Sequence, residues 1–186
     1  ENPEKLLIKI ASILERFKIK YLVTGGFAVS VWGRPRATFD IDIVIELIEP
    51  QVGLLAKALQ KISQAGYIDE NTAKEAIRRK GEFNFIDPES GLKVDFWVKK
   101  DDKFALLEFK RKKLKNINGQ KVYFISPEDL ILSKLKWYKE SQSSRQLEDV
   151  ESILKISGQK LDIRYLKQWA KNLRVFGILN RLVKNN

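Results

Sequence analysis

From Thr38 to Ile45 the chain reads Thr-Phe-Asp-Ile-Asp-Ile-Val-Ile, with acids at 40 and 42 and isoleucines at 41, 43 and 45. A period of two belongs to a strand, because successive side chains leave a strand on opposite faces. Asp40 and Asp42 therefore share a face, about 6.5 to 7 Å apart along the strand, and the isoleucines take the other. The aliphatic row belongs inside a buried sheet, and the two carboxylates meet at its edge. Like charges so close raise one another's pKa unless something compensates them. A divalent cation does so, and Mg2+ (or Mn2+) suits the pair, since it takes one or two protein carboxylates and completes its shell with phosphates and water.

Upstream, Leu22-Val23-Thr24-Gly25-Gly26 runs from a strand into a short helix. Without side chains at Gly25 and Gly26, backbone N–H groups at a helix N-terminus can approach a triphosphate closely. A strand-to-helix turn needing positive φ would explain the glycines equally well. It is the diglycine and the Asp-x-Asp strand together that point to metal-dependent nucleotidyl transfer.

Composition narrows the chemistry. The 186 residues contain no histidine and no cysteine, which excludes a Ser-His-Asp triad, a Cys-His pair, histidine- or thiolate-bound zinc and disulfides. Proton transfer falls to carboxylates, Lys, Tyr or metal-bound water. No apolar run reaches the roughly 18 residues of a membrane span, and the charged start lacks a signal-peptide core, so the expectation is a soluble, cytoplasmic protein with no membrane partner. The net charge of +11 favours anionic partners. It is concentrated: Lys99 to Lys121 holds nine Lys or Arg against three acids, and the chain from Lys155 onward eight against one.

Apolar spacing predicts helices over about 3–17, 27–32, 51–65 and 70–79, with strands at 19–23, 38–47, 82–86 and 92–98. The last two strands form a hairpin through Asp87-Pro88-Glu89-Ser90-Gly91. Residues 110–124 read as basic and strand-like around an Asn118-Gly119 turn. Ser126-Pro127-Glu128-Asp129 reads as a helix start, and helices follow at about 127–139, 144–156, 161–172 and 174–184. The fold class is α+β: a mixed sheet flanked by helices over 1–125, then a C-terminal helical bundle over 126–186 packed on it.

A third acid, Asp95 in Val94-Asp95-Phe96, faces opposite to its two apolar neighbours. By alternation it could equally be a solvent residue on an edge strand. Three carboxylates on neighbouring strands are what two-metal transfer requires, with the cations clamping the attacking and leaving oxygens.

With Gly25-Gly26, Asp40-x-Asp42 and Asp95 in place, the sequence resembles the nucleotidyltransferase superfamily that includes DNA polymerase beta. Arg36-Ala37-Thr38-Phe39-Asp40-Ile41-Asp42 is most similar to the Arg-x-Thr-x-Asp-x-Asp form of AbiEii-type toxins and minimal nucleotidyltransferases. The resemblance implies Asp40, Asp42 and Asp95 as metal ligands and catalytic acids, with Asp95 or metal-bound hydroxide as base. It also implies that Gly25, Gly26, Arg36 and Thr38 bind the nucleoside triphosphate donor. Pro127-Glu128-Asp129 with Lys134, followed by Arg145 to Asp149, matches a further family pattern. The resemblance implies that Lys134 contacts the phosphates and that Asp149 supports the site by orienting it, as catalytic-site residues, although the family's Lys-Asp dipeptide is here Glu148-Asp149; a surface helix charge is the other reading of both. For the acceptor, the basic segments with Phe104, Phe109, Tyr123, Tyr165 and Trp169 interleaved suit RNA such as tRNA, in a toxin-like role. A cognate antitoxin protein and a small molecule are alternative acceptors, and a non-catalytic nucleotide- or RNA-binding module of the same fold is the alternative class.

Overall fold

The computed structural model describes residues 2–88 and 90–184; Glu89, in the predicted 87–91 turn, lies outside them. In chain order the elements are α1 (Pro3–Arg16), β1 (Lys20–Val23), α2 (Gly25–Trp32), β2 (Asp40–Glu46), α3 (Glu49–Gln60), β3 (Tyr67–Ile68), α4 (Glu70–Arg79), β4 (Glu82–Asp87) and β5 (Leu92–Val98). They continue with α5 (Lys103–Arg111), β6 (Lys113–Ile117), β7 (Gln120–Phe124), α6 (Pro127–Ser141), α7 (Ser144–Ser157), a 3-10 turn (Gly158–Lys160), α8 (Ile163–Asn172) and α9 (Phe176–Lys184). Among the described residues no helix is long and apolar enough to cross a membrane. The chain folds as two compact units: one of the residues up to Phe27 with Ala37–Phe124, the other of Ala28–Arg36 with the chain from Ile125 onward.

The first unit is built on a mixed sheet in the order β3-β4-β5-β2-β1-β7-β6. β2 runs parallel to β5 and antiparallel to β1, so the Asp-x-Asp strand lies in the interior of the sheet. Ile41, Ile43, Ile45, Val94, Phe96 and Phe85 are fully buried on one face, where the Phe83 and Phe96 rings stack at 5.1 Å. Helix α1 packs on β1, β2 and β7, and α4 on β4 and β5. Each of the three isoleucines contributes about 1.5–3 kcal/mol by burial. A slip of one residue would turn that row out and the acids in, so the isoleucines fix the register that places the carboxylates.

Local chemistry accounts for the helix ends. Asn2 caps α1, its side-chain oxygen accepting the Glu4 amide at 2.9 Å, and Pro3 occupies a position where the missing N–H is no loss. The Asn118-Gly119 turn has φ of +48° and +89°, the primed geometry that matches strand twist. Two features depart from the sequence reading. Residues 103–111, partly assigned to a basic strand, form α5, because Asp102 Oδ1 accepts the Phe104 and Ala105 amides, both at 3.0 Å, and starts a helix there. The 51–65 helix stops at Gln60; beyond it the Ser63 hydroxyl donates to the buried Asp87 carboxylate at 2.7 Å, and β3 follows.

In the second unit, Ser126 caps α6 as predicted: its Oγ accepts the Asp129 amide at 3.1 Å and donates to Asp129 Oδ2 at 2.7 Å. The Tyr165 hydroxyl donates to the other Asp129 oxygen at 2.6 Å, and Glu128 Oε1 accepts the Asp162 amide at 2.8 Å, fastening α6 to the start of α8. Residues 28–36 join this unit through the Trp32 indole, which donates to the Ile125 carbonyl at 2.9 Å, and through Ser157, which donates to the Trp32 carbonyl.

Candidate active site

The parallel pairing of β2 and β5 sets Asp42 opposite Asp95 and Asp40 opposite Lys93. All four side chains belong to the face opposite the isoleucine row, and strand spacing puts the backbones of Asp42 and Asp95 about 5 Å apart. Asp95 is not on an edge: β4 flanks it on the far side and places Asn84 opposite it. Asp40 is exposed at the start of its strand, whereas Asp42 and Asp95 are partly covered. The Thr38 hydroxyl donates to the Asp40 carbonyl at 3.1 Å and so shapes the entry to the strand.

The diglycine has a steric reason within the same unit. Gly25 opens α2 with φ of +61°, and a Cβ built there would overlap the Asp42 carboxylate. The neighbouring Thr24 amide donates to the Asp42 carbonyl at 2.9 Å. The acid and the turn are therefore fitted to each other, and the carboxylate lies against the N-terminus of α2. Gly25→Ala combines left-handed backbone strain with displacement of Asp42, and should lower stability by about 1–3 kcal/mol, read as a shift in the urea midpoint at unchanged m-value.

Lys93, which the sequence reading did not single out, is the cation beside the acids on this face. Its ammonium lies 2.8 Å from Asp95 Oδ2, the two side chains being 40% and 16% exposed. The hydrogen bond to Asp95, opposed by partial burial and reinforced by the charges of Asp95, Asp40 and Asp42, raises Lys93 above the ordinary lysine range. The signal was available: a residue two before Asp95 in a strand must share its face. Its pairing with Asp40 comes only from the sheet. Asn84 was missed for the same reason.

Among the described residues no group of three acids is placed to hold a metal ion unaided, so the predicted triad is not a ready-made cage. The donor set nevertheless fits a nucleotide-borne Mg2+ or Mn2+. Such an ion needs one or two protein carboxylates, and Asp42 and Asp95 stand side by side with only oxygen donors to offer.

The second unit holds the other predicted residues. Asp149 is 4% exposed and is gripped by the Arg36 guanidinium through Nε to Oδ1 at 3.0 Å and Nη2 to Oδ2 at 3.1 Å. Lys134 Nζ lies 2.9 Å from the same Oδ2, and its side chain is 12% exposed. Burial opposes the charge of Asp149, but the hydrogen bonds from Arg36 and Lys134 outweigh it and hold the carboxyl below the usual range. The predicted pairing of Lys134 with Asp149 is thus present, and neither is a surface helix charge. Arg36 is engaged by Asp149.

Of the aromatics in the basic segments, Phe104 is core at 6% exposure and the Tyr165 hydroxyl is committed to Asp129. Lys112 lies over the Tyr123 ring at 4.1 Å. Lys100, Lys103, Lys110, Lys113 and Lys121 are exposed.

No protein-family model matches the sequence, and neither does any curated protein. Solved structures do match. The antibiotic-resistance factor ANT(2'')-Ia superposes with a TM-score of 0.61 at 14% identity over 98% of this chain and 97% of its own. An antigenic nucleotidyltransferase-like protein from Paracoccidioides brasiliensis gives 0.54 at 19% identity over 97% and 91%. The lincosamide antibiotic adenylyltransferase LnuA, in a lincomycin-bound structure, gives 0.54 at 17% identity over 81% and 97%. The chain therefore has the α+β nucleotidyltransferase fold.

Proposed function

We propose that this protein is a metal-dependent nucleotidyltransferase that moves a nucleoside monophosphate from a nucleoside triphosphate to an acceptor hydroxyl. The observation that carries the reading is the pairing of Asp42 with Asp95 on adjacent parallel strands, with the α2 N-terminus and its diglycine against Asp42. Asp40, Asp42 and Asp95 are the residues that would hold Mg2+ or Mn2+, which when bound neutralises phosphate charge and orients the leaving group. Gly25 and Gly26 let backbone N–H groups approach the triphosphate. The acceptor oxygen bonds to the α-phosphorus, the bond from that phosphorus to the bridging oxygen breaks, and pyrophosphate leaves. Asp95 takes the hydroxyl proton, in a chain that has no histidine. Lys134, with Asp149 and Arg36 in support, and Thr38 are assigned to nucleotide binding on the family likeness.

For the acceptor the reading is RNA, tRNA included, because the exposed lysines of 99–121 form an anion-attracting stretch. The AbiEii-type likeness extends this to a toxin-like role, with a cognate antitoxin protein as the other macromolecular acceptor. A small hydroxylated molecule is the second reading, favoured by the near full-length match to ANT(2'')-Ia, for which a complex with adenylyl-2''-tobramycin is known. Incubation with each α-labelled nucleoside triphosphate, Mg2+ or Mn2+ and a cell extract should label RNA. Label on a protein or small molecule would redirect the acceptor assignment, and no labelled product at all would leave a binding module of this fold. Binding of tRNA should weaken by several tenfold steps between about 50 and 200 mM salt, as measured by filter retention.

A further inference from the structure

The carboxylate face carries its own cation. Lys93 reaches Asp95 at 2.8 Å and stands opposite Asp40 in the pairing of β5 with β2. Three acids and one ammonium therefore share one stretch of sheet. An ammonium hydrogen-bonded to a carboxylate takes up lone pairs that a divalent ion would need, and two cations cannot share that oxygen without repulsion. The lysine is also built to leave: its four-carbon stem is flexible, its head hydrates readily, and its side chain is 40% exposed.

We propose that Lys93 is a displaceable counterion, which offsets the charge of the three acids before nucleotide arrives and sets the cation affinity of the site by competing with the incoming metal. This rests on the reading of Asp40, Asp42 and Asp95 as cation ligands. It makes Lys93 a positioning residue. Until the metal comes, mutual repulsion of the acids is offset by a group that costs little to move. When the metal comes with its triphosphate, the ammonium yields Asp95, and the free site is kept from binding divalent ions tightly in the absence of nucleotide. An arginine in the same place would hold the carboxylate through a rigid fork and yield it less readily.

The test is Mn2+ binding to the nucleotide-free protein at fixed ionic strength, followed by electron paramagnetic resonance of the free ion, with the Mn2+-induced rise in melting temperature as a second readout. Lys93→Gln or Lys93→Met should bind Mn2+ about tenfold tighter than the parent and show a larger melting-temperature rise. Either variant suffices, since both retain an unbranched stem. Lys99→Gln removes a lysine that pairs with Glu46 at 2.5 Å, further along the same strands, and should bind like the parent. Asp42→Asn should bind Mn2+ poorly or not at all. Equal affinity in the Lys93 variants and the parent, with binding lost in Asp42→Asn, overturns the role of Lys93 and leaves the metal site standing. An equal gain in Lys99→Gln reduces the effect to general charge and also overturns it. Absence of binding in the Lys93 variants as well as the parent overturns the role of Lys93 as the competitor, and binding that Asp42→Asn leaves unchanged overturns the metal reading and this inference with it.

Discussion

On the proposed function, Asp42→Asn should lower nucleotidyl transfer by about a thousandfold and change stability by less than about 1 kcal/mol. The two halves of that result have separate causes. Metal-assisted charge stabilisation supplies several kcal/mol of barrier lowering, and each ~1.4 kcal/mol is tenfold in rate, so loss of the proposed central ligand should remove about three tenfold steps. Stability moves little because two effects oppose: neutralising Asp42 relieves its repulsion with the adjacent Asp95, which Lys93 already offsets in part, and it forfeits the favourable place of the charge at the α2 N-terminus. Asp40→Asn should have the smaller kinetic effect, since Asp40 is exposed at the strand start and paired with Lys93 rather than with another acid. Single-turnover transfer from a labelled triphosphate, alongside thermal melts of the same samples, reads both quantities. Full activity in Asp42→Asn with Mg2+ would sink the assignment.

Asp149→Ala destabilises the fold by about 3–5 kcal/mol, because it leaves Arg36 and Lys134 facing each other with their shared counter-charge gone. The expectation is specific to removing one member. Replacing all three by well-packed apolar residues of similar size should be far milder, since the desolvation of the charges disappears with them. Acid sensitivity follows with a definite sign. The Asp149 carboxyl is held below its usual range, so its contribution is complete above the unfolded value of about 3.9, and it is lost as pH falls through the lower folded value. Urea unfolding at pH 7 and in the acid range should show a steep loss in the parent protein, and a flatter acid limb in Asp149→Asn, which has no charge left to lose.

Residue patterns carried much of this architecture. Period-two alternation at 38–45 and 92–98 located both central strands and put each acid on the correct face, because the pleat settles that from sequence order alone. Asn118-Gly119 and Ser126 likewise announced a turn and a cap through chemistry confined to a few residues. What sequence order does not contain is pairing between strands. Nothing local says that Asp95 stands beside Asp42 rather than along an edge, or that Lys93 faces Asp40. The same holds for residues 28–36, whose membership of the helical unit depends on bonds such as Trp32 to Ile125, 93 positions apart. The α5 error was of another kind: Asp102 followed by an apolar stripe was legible as a helix start, and the density of lysines in 110–121 obscured it.

Both rims of the sheet are poor templates for another chain. β3 is two residues long, and β6 at the other end carries Lys113 and Lys115 beside the exposed Leu114. Short or lysine-studded rims are how sheet proteins escape end-to-end polymerisation. Part of the basic stretch thus guards this rim against strand pairing. Exchanging Lys113 and Lys115 for valine would turn that rim into a sticky hydrogen-bonding ribbon, and a self-contained sheet into the seed of a fibre.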